Sequence, residues 1–165
     1  MKIHVFFAHP ATMTTIEIKE STKLIEEDML GVIAGKSINE EEIGVIVVSG
    51  RKDHKHFFPQ AGSWEKWTKD VVSRKNATTK RRMYDMFVVP GETCGSATKS
   101  IVENAMQANR AVFSWNDQDR EFTPVIGTKS DDALDWNNGT RLIHRERVVA
   151  LPMPTQQLSL FPEET

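Results

Sequence analysis

Cysteine is almost missing from this chain of 165 residues: Cys94 stands alone. A single cysteine excludes an internal disulfide framework and fits a reducing compartment. Long apolar runs are missing too, so nothing in the sequence has the length of a membrane span. The first residues form an apolar, strand-like segment rather than the basic-then-apolar layout of a secretory signal. These absences set the expectation of a cytoplasmic protein with no membrane partner. Charge of one sign is also scarce. A formal net charge of −2 argues against a protein that coats DNA by bulk electrostatics. One local exception is the basic cluster Arg74, Lys75, Lys80, Arg81 and Arg82, which is either a weak contact for nucleic acid or a solvated face. No repeat or low-complexity block is present, and the length suits one domain with a useful core.

What is present alternates between strand-like and helix-like segments. Ile3 to Ala8 is a compact β-rich run stopped at His9-Pro10. Thr14 or Thr15 is placed to cap a helix through Leu24, Ile25 and Met29 that ends near Gly31 or Gly35. Ile43 to Ser49 reads as a strand buried on both faces, followed by a polar loop from Arg51 to Gly62. Ser63 caps a helix carrying Trp64, Trp67 and Val71 at helical spacing, with Glu65 and Lys69 as an i,i+4 pair. Met83 to Val89 is a third strand, Gly95 to Ala108 a helix, and Ala111 to Trp115 a fourth strand. This order predicts an α/β fold, a Rossmann-like three-layer sandwich with a mainly parallel sheet, over residues 1–150. Within it, 116–150 read as a small β appendix, with strands at Phe122 to Gly127 and Thr140 to Val149. The turn between them carries Asp131, Asp132 and Asp135, a solvated group rather than a specified metal site.

Ligands of open α/β sheets sit beyond the carboxyl ends of the strands. Three such ends draw notice: Ala8 to Thr12, Ser49-Gly50-Arg51, and Val89 to Thr98. In the last, Gly91 and Gly95 permit close backbone approach, Ser96 and Thr98 supply hydroxyls, and the amides that open the following helix favour an anion. His9, Pro10, Gly91, Gly95, Ser96 and Thr98 are therefore the candidate ligand-binding residues. Neither the Walker lysine nor the G-x-G-x-x-G spacing occurs. No cofactor or metal is expected.

Gly95-Ser96-Ala97-Thr98, followed by Ile101, Ala105, Asn109-Arg110 and Val112-Phe113, resembles the nucleotide-binding Rossmann-like proteins of the SLOG type. Their relatives include nucleotide phosphoribohydrolases, the DNA-uptake processing protein and, more distantly, nucleoside deoxyribosyltransferases. The resemblance implies a phosphate cradled by the Gly/Ser/Thr loop. It also raises an enzymatic alternative, an N-glycosidic hydrolase or transferase using Glu92 or Glu103. The chain departs from the phosphoribohydrolase pattern Pro-Gly-Gly-x-Gly-Thr-x-x-Glu: Glu92 follows Pro90-Gly91, and Glu103 is displaced from the place of the motif glutamate. That departure weighs against glycosidic hydrolysis and leaves nucleotide binding untouched.

Residues 151–165 form an extended tail punctuated by Pro152, Pro154 and Pro162, which disfavour helix and central strand alike. In it stands Gln157-Leu158-Ser159-Leu160-Phe161. This resembles the sliding-clamp-binding peptide of bacterial polymerases, repair enzymes and clamp loaders, Gln-Leu-x-Leu-Phe. The resemblance implies that Gln157 makes polar contacts at the pocket edge, Leu158 lies along the groove, and Leu160 and Phe161 fill the apolar cavity. Self-docking of the tail on its own domain is the alternative. A clamp peptide on a small accessory-like domain fits a bacteriophage or mobile-element origin. The combined expectation is a nucleotide-binding replication factor that docks on the bacterial sliding clamp, recruited to it or blocking it.

The remaining chemistry-bearing side chains each have two readings. Glu92 is a general acid/base or a solvent-facing loop residue, and Glu103 is catalytic or structural. His9 contacts a phosphate or is satisfied by backbone. Asp53, His54 and His56 have a spacing that metals use, without a further ligand. Cys94 lies beside a helix N-terminus, which lowers thiol pKa values. Trp64 and Trp67 are core or a wall for a base. Asp85 reads as an edge or cap residue.

Overall fold

A computed structural model of the protein describes residues 2–34, 44–130 and 140–144. Along them run β1 (Lys2–Phe7), α1 (Thr15–Ala34), β2 (Gly44–Ser49), α2 (Gly50–Ala61) and α3 (Trp64–Ser73). There follow β3 (Met86–Pro90), β4 (Thr93–Cys94), α4 (Ser96–Gln107), β5 (Ala111–Asn116), β6 (Glu121–Ser130) and β7 (Thr140–His144). They build a seven-stranded sheet in the order β2-β1-β3-β5-β6-β7-β4. The block β2-β1-β3-β5 is parallel, and β6, β7 and β4 add on antiparallel.

The alternation of side chains in β1 generates the layers. Ile3, Val5 and Phe7 point to one face and pack with Ile25, Met29 and Ile33 of α1. Phe6 and Ala8 point to the other and pack with Trp67 and Val71 of α3 and Ile101 of α4. The result is a Rossmann-like sandwich, with α1 on one face and α2, α3 and α4 on the other. Each fully buried side chain of this size contributes roughly 1.5–3 kcal/mol. Helix α1 begins in a reciprocal capping box, in which Thr14 Oγ1 accepts from the Glu17 amide at 3.1 Å and Glu17 Oε1 from the Thr14 amide at 3.0 Å. Asp85 caps the sheet as expected: its carboxylate accepts from the His4 amide at 2.8 Å.

Two expectations about the first half need correction. Among the described residues the run ending at Ser49 is an edge strand paired only with β1, so most of β2 is half-buried rather than covered on both faces. The segment 51–62 is not a polar loop but helix α2. Ser49 caps it by accepting from the Lys52 amide, and Gly62, at φ 83°, closes it by donating to the Phe58 carbonyl. Glycine accepts that left-handed conformation without a Cβ penalty. Pro59 costs little so close to the end of the helix, and Asp53, Phe57 and Phe58 supply the inward face.

The C-terminal strands curl back over the sheet. The first half of β6 pairs with β5, and its second half with β7 beyond a bulge between Val125 and Gly127. β7 then pairs with β4 through Thr93–Arg141 and Cys94–Thr140, and the Leu142 amide donates to the Glu92 carbonyl at 2.9 Å. This returns the hairpin to the carboxyl end of β3. The antiparallel character expected for this region holds, although β4 was not foreseen. Residues 131–139, expected as a turn, residues 145–150 and residues 151–165, expected as a tail with Gln157, Leu158, Leu160 and Phe161, lie outside the described residues.

Candidate functional site

β1 has β2 on one side and β3 on the other, so the chain leaves their neighbouring carboxyl ends in opposite directions. Such a switch point opens a crevice. Here it holds a cavity of about 640 Å³ floored by Phe6 and Ala8. One wall runs from His9 to Thr12 and across Gly50-Arg51, the opposite wall from Thr93 to Thr98, and His54, Trp64 and Trp67 form an aromatic side. The structure thus brings together His9, Pro10, Gly95, Ser96 and Thr98 from two separate strand ends.

His9 and Arg51 on the first wall are satisfied within the protein. His9 is buried, its Nδ1 lies 2.8 Å from the Pro10 carbonyl, and its Nε2 accepts from the Arg51 amide at 3.3 Å. That pattern places the proton on Nδ1, and desolvation, with the Arg51 charge, lowers the imidazole pKa. The Arg51 guanidinium turns away to hold the β1–α1 loop, donating to the carbonyls of Ala11 at 3.0 Å and Met13 at 2.5 Å. Helix α4 behaves differently from α2 and α3. Its N-cap is Gly95, in extended backbone at φ −79° and ψ 179°, and no side chain caps it. A Cβ at Gly95 would meet nothing within 4 Å. Thr98, only 8% exposed, lines the cavity, and its hydroxyl has no side-chain hydrogen bond among the described residues. An open helix N-terminus with a threonine hydroxyl on the cavity wall beside it is suited to an anion.

The aromatic side is held by a buried polar network. Asp53, 1% exposed, accepts from Trp67 Nε1 at 3.0 Å, from the Arg74 guanidinium at 2.6 and 3.1 Å, and from the Tyr84 hydroxyl. Desolvation and the Asp53 charge raise the Tyr84 pKa. Trp67 is therefore core, whereas Trp64 is 52% exposed and flanks His54, itself stacked on Phe58 at 4.3 Å. This network removes Arg74 from the expected basic cluster. It also occupies both oxygens of Asp53, and among the described residues no group of histidine, cysteine and carboxylate side chains is placed to hold a metal.

Other candidates lie elsewhere. Glu103 is exposed on α4, where its carboxylate accepts from Thr128 at 3.4 Å, and it lines a neighbouring hollow. Gly91, at φ 75°, and Glu92 line a smaller cavity of about 270 Å³ under the β6–β7 hairpin. There Ser114 Oγ and His144 Nε2 lie 2.7 Å apart, a pair that no motif announced. Burial lowers the His144 pKa, and the Glu92 charge opposes the shift. Neither glutamate borders the switch-point cavity. Cys94 does border it, but burial pushes its thiol up to about 11, the opposite of the lowering expected from the adjacent helix. Arg110 is also buried, donating to the carbonyls of Val72 at 2.8 Å and Tyr84.

Comparison with protein-family models, curated proteins and solved structures finds no match for this chain. Among the described residues, no helix is long and apolar enough to cross a membrane. Sequence reasoning missed His54 as a wall of the cavity, having weighed it only as a metal ligand. Its spacing from Trp64 becomes meaningful only once 51–62 is recognised as a helix.

Proposed function

We propose that this protein binds a nucleotide in the switch-point cavity and docks on the bacterial sliding clamp through residues 157–161, as a recruited accessory or clamp-blocking factor. The observation that carries the first half is the uncapped N-terminus of α4 with Thr98, a largely buried residue that lines the cavity, beside it, opposite an aromatic wall. Amides and hydroxyl receive a phosphate, and Trp64 offers a face to a base. The cavity volume is in the range of small-ligand sites. The second half is supported by the peptide itself, in which every specified position of the clamp pattern is filled. Two large apolar anchors favour binding by about 1.5–3 kcal/mol each, offset by ordering of the segment.

Calorimetry with nucleoside mono-, di- and triphosphates tests the cavity. Saturable binding to at least one of them, lost in Gly95→Phe with the fold intact, supports it; no binding to any leaves the α4 loop as a helix start only. For the clamp, replacing Leu160 and Phe161 together by alanine is expected to cost on the order of 3 kcal/mol of affinity. Equal binding by the doubly substituted protein overturns that assignment.

A further inference from the structure

The switch-point cavity does not end at Trp64. A second hollow of about 580 Å³ lies between α3 and α4 and shares Trp64, Ser96 and Ala97 with the first. Helix α3 begins at Trp64 and α4 at Ser96, so two helix N-termini meet where the hollows meet. Ser63 caps α3 by accepting from the Lys66 amide, so at that junction the open amides are those of α4, which favour negative charge. Thr98, largely buried, stands on the first-cavity side of it.

The two hollows differ in chemistry. The first is aromatic and apolar around Phe6, Trp67 and Ile101. The second is lined by short polar and amide side chains, Ser100, Asn104 and Gln107 among them. Asn104 donates to the Thr68 hydroxyl at 3.3 Å, which leaves its carbonyl oxygen as an acceptor. The charged lining groups are Glu65, Lys69 and Glu103, with Lys69 paired to Glu65 at 3.3 Å. Two carboxylates against one ammonium disfavour a further phosphate and leave carboxylate and amide acceptors for hydroxyl groups.

We propose that the ligand is a nucleoside diphosphate carrying an uncharged sugar, with the base in the first hollow, the diphosphate at the Trp64–Ser96 junction and the sugar between α3 and α4. This rests on the nucleotide reading of the first cavity and adds a second subsite to it. An oligonucleotide is the poorer occupant, because its next phosphate would face Glu65 and Glu103.

Calorimetry with ADP, ADP-glucose, UDP and UDP-glucose tests the assignment. The sugar nucleotide of the preferred base is expected to bind at least about tenfold more tightly than its diphosphate. Gln107→Ala, on an exposed position, and Asn104→Ala are each expected to bring that ratio towards one. A ratio of one in the parent protein overturns the sugar subsite while the nucleotide reading stands. A ratio that neither substitution changes also overturns the placement. If none of the four compounds binds, the sugar-nucleotide assignment falls, and the nucleotide reading falls with it only when the wider panel of nucleoside phosphates is silent as well.

Discussion

Asp53 and Arg74 are 21 residues apart in the chain and 2.6 Å apart in space, with both side chains nearly sealed from solvent. Arg74 keeps Asp70 as a second partner at 2.6 Å, so removing Asp53 takes away the acceptor shared by Arg74, Trp67 and Tyr84, while removing Arg74 leaves the buried Asp53 charge without its cation. Asp53→Ala is expected to destabilise the fold by about 3–5 kcal/mol, read from the urea unfolding midpoint. Trp67 and Tyr84 lose an acceptor at the same time, so Trp67 fluorescence should change in the folded variant. A loss below about 1 kcal/mol would mean that the network is dispensable.

Acid should weaken the fold through His9. Desolvation holds its pKa below the ordinary 6.5, so the unfolded chain takes up a proton that the folded chain refuses. The contribution is present above the unfolded value and is lost as pH falls through the lowered folded value. The melting temperature is expected to drop between about pH 7 and about pH 5, and to drop less in His9→Gln. An equal fall in parent and variant would remove His9 from the account.

Cys94 should be a slow thiol. With its pKa near 11, little thiolate exists at neutral pH. Iodoacetamide is expected to modify it far more slowly than a free cysteine at about pH 8, and faster as pH rises. Because Cys94 lines the switch-point cavity, a bound nucleotide should slow the reaction further. Rapid modification at neutral pH would contradict the first statement, and an equal rate with saturating nucleotide the second.

Gly95→Asp should separate stability from binding. An aspartate in this extended N-cap has open space for its side chain and can cap α4, which is worth a few tenths of a kcal/mol over glycine. The same carboxylate occupies the anion site, so nucleotide affinity is expected to fall by at least about tenfold. Unchanged affinity in a more stable variant would place the phosphate elsewhere.

The parallel centre of the sheet was legible because β1, β3 and β5 are largely covered on both faces and therefore read as predominantly apolar runs, interrupted only at single positions such as His4 and Ser114. The same appearance misled at β2, since an apolar run does not say whether a strand has one neighbour or two. Helix α2 was hidden by Pro59 and by a polar sequence, and its inward face rests on Asp53, whose partners Arg74 and Tyr84 come from distant segments. Gly95 to Thr98 was recognisable as a strand-to-helix turn from local sequence alone. The strand end at Gly50 and Arg51 was noticed as well, but not that it faces Gly95 or that His54 joins its wall, because only the order of the strands and helix α2 bring them there.

The ladder between β4 and β7 gives the molecule a mechanical fuse. β7 is the last described strand, and residues 145–165 continue the chain beyond His144. Tension applied to the C-terminus enters at that strand and reaches the cavity wall at Thr93 and Cys94 across two residue pairs and the Leu142–Glu92 bond. So short a ladder yields before the longer parallel registers of β1, β2, β3 and β5. A load on the tail would therefore loosen the wall beside Gly95 first, while the core keeps its alignment.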